Sequence, residues 1–273
     1  MKILLTTHQF FPDFSAGTEV LTRSVARELL RRGHEVHVMT GHPAGSDLPD
    51  DARTDEYWLE GICIHRFHHA YAPMGGQTSK IEVGFNNKLA ADYFARVVDA
   101  FRPSVVHFFH FNRLGTGLIE RAAEAGVPAY FTPTDFWTIC PTGQLLYGDG
   151  CPCPGPSTDS GNCVVHFAGN TIGGHLGKWV WQLPVATGDL LVRLARTRLC
   201  SGLSYAQEVT AINRRLGVNV KRLNQLTGIV APNQMIKDLM LRYGVKPERL
   251  VVAAYGVDVA DRRVDAVRTL PSS

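Results

Sequence analysis

No apolar stretch in the 273-residue sequence approaches the roughly 18 residues that a membrane-spanning helix needs. Nor does Met1 open onto a basic segment, an apolar segment and a small-residue cleavage site. A strand pattern begins at once, which predicts a chain that stays in the cytoplasm. The net charge is only +3, too small to recommend nucleic acid as a partner. Internal repeats are missing, and so is the G-x-G-x-x-G fingerprint of dinucleotide-binding turns. Only Gly17 stands near the first strand, and it comes late, which argues against a nicotinamide or flavin enzyme. Cysteine is scarce at six residues, and in a cytoplasmic chain these point to free thiols or a metal before disulfides.

What is present describes a globular protein with a substantial core. Hydrophobic residues make up 45% and charged ones 19%, and the length suits one large α/β domain or two small ones. Residues 2–7 form a short apolar run fit for a strand buried on both faces. From Thr18 the period changes: Leu21, Val25 and Leu29 recur every four residues along a helix that Gly33 is placed to stop. The spacing then predicts strands over 35–40, 62–67, 105–110 and 128–133, with 41–58 as loop. Helices are predicted over 80–101 and 115–125. After an irregular middle come a helix near 203–217, a strand at 228–233, a helix at 234–243 and a strand at 249–257. Strands alternating with helices over short turns imply a doubly wound parallel sheet. Ligands in such sheets sit at the carboxyl ends of the strands. That places the 8–17 loop, residues 107–113 and residues 133–145 along one rim.

Several residues on or near that rim carry chemistry. Gly17 at a helix N-terminus leaves free N–H groups and a positive dipole end, suited to a phosphate or a sugar hydroxyl. A plain turn residue is the competing reading. His107 and His110, three apart, should face opposite ways, one packed in the core and one at the rim as a positioner or base. Cys140, Cys151, Cys153 and Cys163, followed by His166, fall in a Gly/Pro-rich insertion at about 137–166. One structural Zn²⁺ on the four thiols is one reading; free buried thiols and disulfides are the others. Residues 176–199 mix Trp, Leu and basic side chains, as a membrane-surface helix or a buried helix edged by Arg would.

Four stretches in order resemble the amino-terminal domain of family 4 glycosyltransferases, the retaining GT-B enzymes. They are FFPDFSAGTEVLTRSVARELLRRGHEVHVMT, VVHFFHF, TPTDFWTICPTGQLLYGDGCPCPGP and VAPNQMIKDLMLRYGVKPERLVVAAYGVDV. The resemblance covers nearly the whole chain, with two departures: Ala16 stands where the family usually has a first Gly, and Thr134 where many members have His before Asp135. It implies a Rossmann-like half of a GT-B enzyme over 1–258 and the start of an interdomain linker at 259–273, with the donor-binding domain absent. It further implies an acceptor-side domain of an enzyme that moves a sugar from a nucleotide-sugar donor to a glycan, lipid or small molecule. The donor would bind only weakly to this half, and a separately encoded donor-domain chain could serve as its partner. A non-catalytic sugar- or partner-binding module is the alternative. By resemblance Gly17, with Ala16 beside it, approaches the donor, His110 faces the reacting sugar, and Glu19 and Asp135 make rim contacts. Transfer of this kind requires no cofactor. A location at the inner membrane surface is compatible with the cytoplasm, and the rim around Phe11, Phe14, Gly17 and His110 is expected to stand exposed.

Overall fold

The computed structural model describes residues 1–197 and 205–256. Eight strands and nine helices are assigned among them. The strands are β1 (Lys2–Thr7), β2 (Glu35–Pro43), β3 (Thr54–Leu59), β4 (Ile62–His69), β5 (Val105–Phe108), β6 (Ala129–Phe131), β7 (Gly228–Ala231) and β8 (Leu250–Val252). The helices are α1 (Gly17–Arg31), α2 (Lys80–Phe85), α3 (Lys88–Phe101), α4 (Gly117–Glu124), α5 (Gly161–Ile172), α6 (Gly174–Trp181), α7 (Val185–Ala195), α8 (Ala206–Leu223) and α9 (Gln234–Arg242). They form one eight-stranded sheet in the order β3-β4-β2-β1-β5-β6-β7-β8. Every pairing is parallel except that of β3 with β4. The order reverses at β1, so the crevice above β1 and β5 is the topological switch point.

Alternation along β1 explains the layering. Ile3 and Leu5 point to one face, where they join Val36, Val38, Ile62, Ile64 and α1's Ala26 in a smaller core. Leu4 points to the other, into a larger core built with Phe94, Phe108, Phe111, Leu118 and Ile229. Each face is covered, as a parallel sheet requires. The α1 stripe Leu21, Val25 and Leu29 packs against the smaller core.

Three expectations need correction. Residues 41–58 are not all loop, because β3 pairs antiparallel onto the β4 edge. The expected helix over 80–101 is two helices. Asn87 accepts the Ala90 N–H at 3.1 Å and starts α3 afresh. The irregular middle contains α5, α6 and α7. The sheet is therefore doubly wound and mostly parallel, with one antiparallel edge. The linker expected at 259–273 lies outside the described residues, as do the first residues of the helix expected near 203 and the last of the strand expected to reach 257.

Candidate functional site

The carboxyl end of β1 leads into the 8–16 loop, whose fold is tied down by its aromatics. Phe10 is buried, Phe11 lies under the Arg23 guanidinium at 4.6 Å, and Phe14 meets His42 edge-on at 5.8 Å. The Tyr57 hydroxyl donates to the Phe11 carbonyl. Phe11 and Phe14 are thus half-buried and His110 is buried, so the rim is not the exposed aromatic face that the sequence predicts.

The loop delivers Ala16 as the residue before α1, with no side-chain cap, and Gly17 as its first helical residue. The first-turn N–H groups of any helix have no intrahelical acceptor, so they are available to a ligand. A Cβ placed on Gly17 would find no protein atom within 4 Å. Next to it the Thr18 hydroxyl donates to the Thr134 hydroxyl at 2.9 Å, so the unusual Thr134 joins α1 to the end of β6.

His110 follows β5 and is oriented at both nitrogens. Its Nδ1 accepts the Asn112 backbone N–H at 3.0 Å, and its Nε2 lies 3.0 Å from Asp135 Oδ2. The first contact leaves the neutral ring's proton on Nε2, where it is donated to Asp135. Asp135 Oδ1 accepts the Trp137 N–H at 2.7 Å. Gly143 lies so close that a Cβ there would come within 2.8 Å of Asp135 Oδ2, and its φ of +77° is one that side chains rarely adopt. Trp137 stacks beneath the fully buried Arg215 of α8, at 4.5 Å. Arg215 donates to the carbonyls of Ile139, at 3.2 Å, and Trp137. Burial lowers its pKa to about 10, still far above neutrality. His107 is half-buried, less covered than His110, so the expected division into a packed and a rim histidine does not hold; its Nε2 meets the Thr132 hydroxyl at 2.8 Å, and burial lowers its pKa to about 4.

A second group of rim residues escaped the sequence reading. His8 packs against His110 with ring centroids 4.1 Å apart and planes tilted by 40°, and stands 3.6 Å from the Glu19 carboxylate, itself wholly buried. A Cβ on Gly41, at the end of β2, would strike the His8 carbonyl at 2.7 Å, with Arg113 and His69 atoms at 3.6 Å. Only glycine fits there, and this close approach gathers His8, His69 and Arg113 at the ends of β1, β4 and β5. Burial, with the charges of His110, Arg113 and His69, depresses His8 to about 2. His69 falls to about 3, chiefly by burial with Arg113 next. Five buried polar atoms in this group have no hydrogen-bond partner among the described residues: His8 Nδ1, both Glu19 oxygens, His69 Nε2 and Arg113 Nη1. Of these residues only Glu19 was singled out from the sequence. The others become neighbours only through the sheet order, which no local pattern reveals.

The insertion separates the cysteines. Cys140, Cys153 and Cys163 line one small cavity with His166, whereas Cys151 is exposed. The five cysteines within the described residues are all free thiols, and Cys200 lies outside them. Burial pushes the Cys163 thiol up to about 12, with Cys140 and Cys153 adding to it. Another cavity, of about 300 Å³, lies between α2, α7 and α8, and no rim residue reaches it.

Residues 16–157, just over half of the chain, match the glycosyl transferase 4-like domain. The chain belongs to this family. No curated protein matches it. Among solved structures it is similar to Anabaena HepE in complex with UDP and glucose (13% identity, 95% of this chain and 46% of that one, TM-score 0.45). It is also similar to the catalytic domain of starch synthase IV from Arabidopsis thaliana bound to ADP and acarbose (10%, 95% and 52%, TM-score 0.47). A third is the UDP-GlcNAc 2-epimerase of Methanocaldococcus jannaschii (10%, 92% and 45%, TM-score 0.39). The chain thus spans about half the length of each of these structures. Among the described residues, no helix is long and apolar enough to cross a membrane.

Proposed function

We propose that this glycosyl transferase 4-like chain supplies the acceptor-side wall of a sugar transferase whose donor-binding wall lies in a further domain. The observation that carries the reading is the set of five orphaned polar atoms above β1, β4 and β5. A buried polar atom without a partner costs about 1–3 kcal/mol, so several in one place call for a ligand that satisfies them. The set mixes acceptors (the Glu19 oxygens) with a donor (Arg113 Nη1). Hydroxyl groups both donate and accept, so a polyhydroxylated ligand answers such a mixture better than a plain anion or an apolar molecule. Gly17 and the N-terminus of α1 stand beside the cluster, where a donor's phosphate or transferred sugar would approach.

His110 acts here as a positioner. In retaining transfer the acceptor oxygen forms its bond to the sugar as the sugar–phosphate bond breaks, and the leaving phosphate oxygen takes the acceptor proton. No strong protein base is needed, and both nitrogens of His110 are already committed.

A lipid-borne acceptor at a membrane surface is favoured by the helical segment that follows the insertion. Ile172, Leu176, Trp179, Leu190, Leu191 and Leu194 are all exposed on α5, α6 and α7, Leu176 and Trp179 at 72% each. Arg193 and Arg196 lie on and beside α7. Large exposed apolar patches flanked by cations are the form of an interfacial surface.

The deciding experiment joins residues 1–273 to a family donor domain and measures transfer from a panel of nucleotide-sugars. Transfer is expected only with both halves, and Arg113→Ala and His69→Ala are expected to lower it while the fold persists. Transfer by residues 1–273 alone would refute the one-wall reading. Sedimentation with anionic vesicles tests the membrane surface: wild type should pellet and Trp179→Glu/Leu176→Glu should not.

A further inference from the structure

The segment from Cys140 to α5 is held by side-chain bonds rather than by regular structure: Asn162 Nδ2 donates to the Gly155 carbonyl at 2.8 Å, and the Tyr243 hydroxyl to the Pro156 carbonyl at 3.1 Å. Its regular pairing amounts to one isolated bridge, Leu146 with Pro152, and a few turns. Yet Cys140 and Cys163 are buried within it, and with Cys153 and His166 they face one cavity whose free volume, about 10 Å³, is close to that of a single water. Cys163 and His166 are three apart on α5 and so share a helix face. The sulfurs have weak polar partners only: Cys140 Sγ meets the Thr142 hydroxyl at 3.2 Å, and Cys153 Sγ has Gly155 O and Asn162 Nδ2 at 3.9 Å.

We propose that Cys140, Cys153, Cys163 and His166 bind one thiophilic divalent cation, Zn²⁺ by its chemistry, and that Cys151 is not a ligand. Three thiolates and one imidazole make a closed tetrahedral set of the structural kind. Three thiolates around a dication leave a net charge of −1. The buried Arg215 guanidinium, which feels both Cys140 and Cys163, balances it. No three of the four donor atoms lie within 4.8 Å of one another, so they line one cavity without yet forming a closed set, and closing on the ion has to draw the 140–153 loop toward α5. The trio His37, Cys63 and His65 does meet that distance. Its members are already engaged, however: His65 bonds His37 at 2.9 Å and Glu56 at 2.6 Å, and His37 stacks on Phe101 at 3.7 Å. Binding there would have to break contacts, whereas at the cysteines it replaces a void.

The consequence reaches the rim. The Cys140 N–H bonds the Phe136 carbonyl at 2.7 Å, and the Phe136 N–H bonds the Gly143 carbonyl at 3.1 Å. Fixing Cys140 therefore fixes the turn that aims Asp135 at His110.

Elemental analysis of protein purified without chelator tests the site. About one equivalent of zinc is expected in wild type, Cys151→Ser and Cys63→Ser, and less than a tenth in Cys163→Ser and His166→Ala. Less than a tenth in wild type overturns the proposal, as does loss in Cys151→Ser or Cys63→Ser or retention in Cys163→Ser. Should the ligand variants fail to fold, the wild-type protein still decides. Its Co²⁺ form should show thiolate charge transfer and tetrahedral ligand-field bands, and a weak octahedral spectrum overturns the proposal. Three thiols should become reactive only when a chelator extracts the metal. A count unchanged by chelation overturns it equally.

Discussion

Glu19 offers a test that needs neither donor nor acceptor. It occupies the third position of α1, is wholly buried, and neither of its carboxylate oxygens has a hydrogen-bond partner among the described residues. His8 Nε2, at 3.6 Å, is too far for a hydrogen bond. Leaving such a group unsatisfied costs about 1–3 kcal/mol, while an acidic residue in a helix's first turn recovers about 0.3–1 kcal/mol from the dipole. Methionine has the same reach and neither oxygen. Glu19→Met should therefore stabilise the ligand-free chain by about 1–2 kcal/mol. At about 2–4 °C per kcal/mol for a chain of this size, Tm should rise by about 2–8 °C in scanning calorimetry. The same variant should lose acceptor binding in the two-domain enzyme, since a residue kept at a stability cost is kept for its ligand. An unchanged or lower Tm would refute the reasoning. It would mean that the carboxylate is already satisfied in the free chain, and that the orphaned cluster is no sign of a ligand.

Three further outcomes follow from the same geometry. Gly17→Val adds atoms only to open space, so thermal unfolding should move by less than about 2 °C. Transfer by the two-domain enzyme should fall by about 100-fold or more, and wild-type kinetics would reduce Gly17 to a turn residue. His110→Ala should lower kcat by about 10- to 100-fold with a smaller change in acceptor KM, because positioning acts in the transition state; a change in KM alone would move His110 to a binding role. Acid should destabilise the fold early. His8, His69 and His107, held down to about 2, 3 and 4 mainly by burial, stay neutral when folded, whereas the unfolded chain takes up protons near pH 6.5. Stability is thus complete above about pH 6.5 and falls below it, by up to about 1.4 kcal/mol per pH unit for each histidine. A urea midpoint that holds constant from pH 7 down to pH 4 would contradict this.

How much of the molecule could be read in advance depended on how local its cause was. The β1–α1–β2 unit was legible because period, cap position and the Gly33 stop all lie within one segment. The β3 strand was missed because TDEYWL alternates weakly at a sheet edge. A signal existed in Glu60-Gly61, whose φ values of 52° and 80° close a two-residue hairpin of the kind that X-Gly pairs favour. The doubled asparagine of GFNNK was likewise a readable N-cap, and it marks the break between α2 and α3.

The site divides along the same line. Gly17 and His110 could be singled out locally because each sits at the end of a segment whose period could be counted, and the doubly wound pattern places those ends on one rim; Glu19 and Asp135 were named only through the family resemblance. That His110 binds Asp135 was not legible, since it depends on β5 and β6 being neighbours in the sheet. His8, His69 and Arg113 lie farther still from local reading. They meet only because the sheet reverses at β1, which brings the ends of β1, β4 and β5 around Gly41. A local motif can show that a loop is suited to a ligand. Which polar atoms the fold leaves without partners beside that loop is a property of the assembled sheet, and here it is those atoms that point to a hydroxyl-rich ligand.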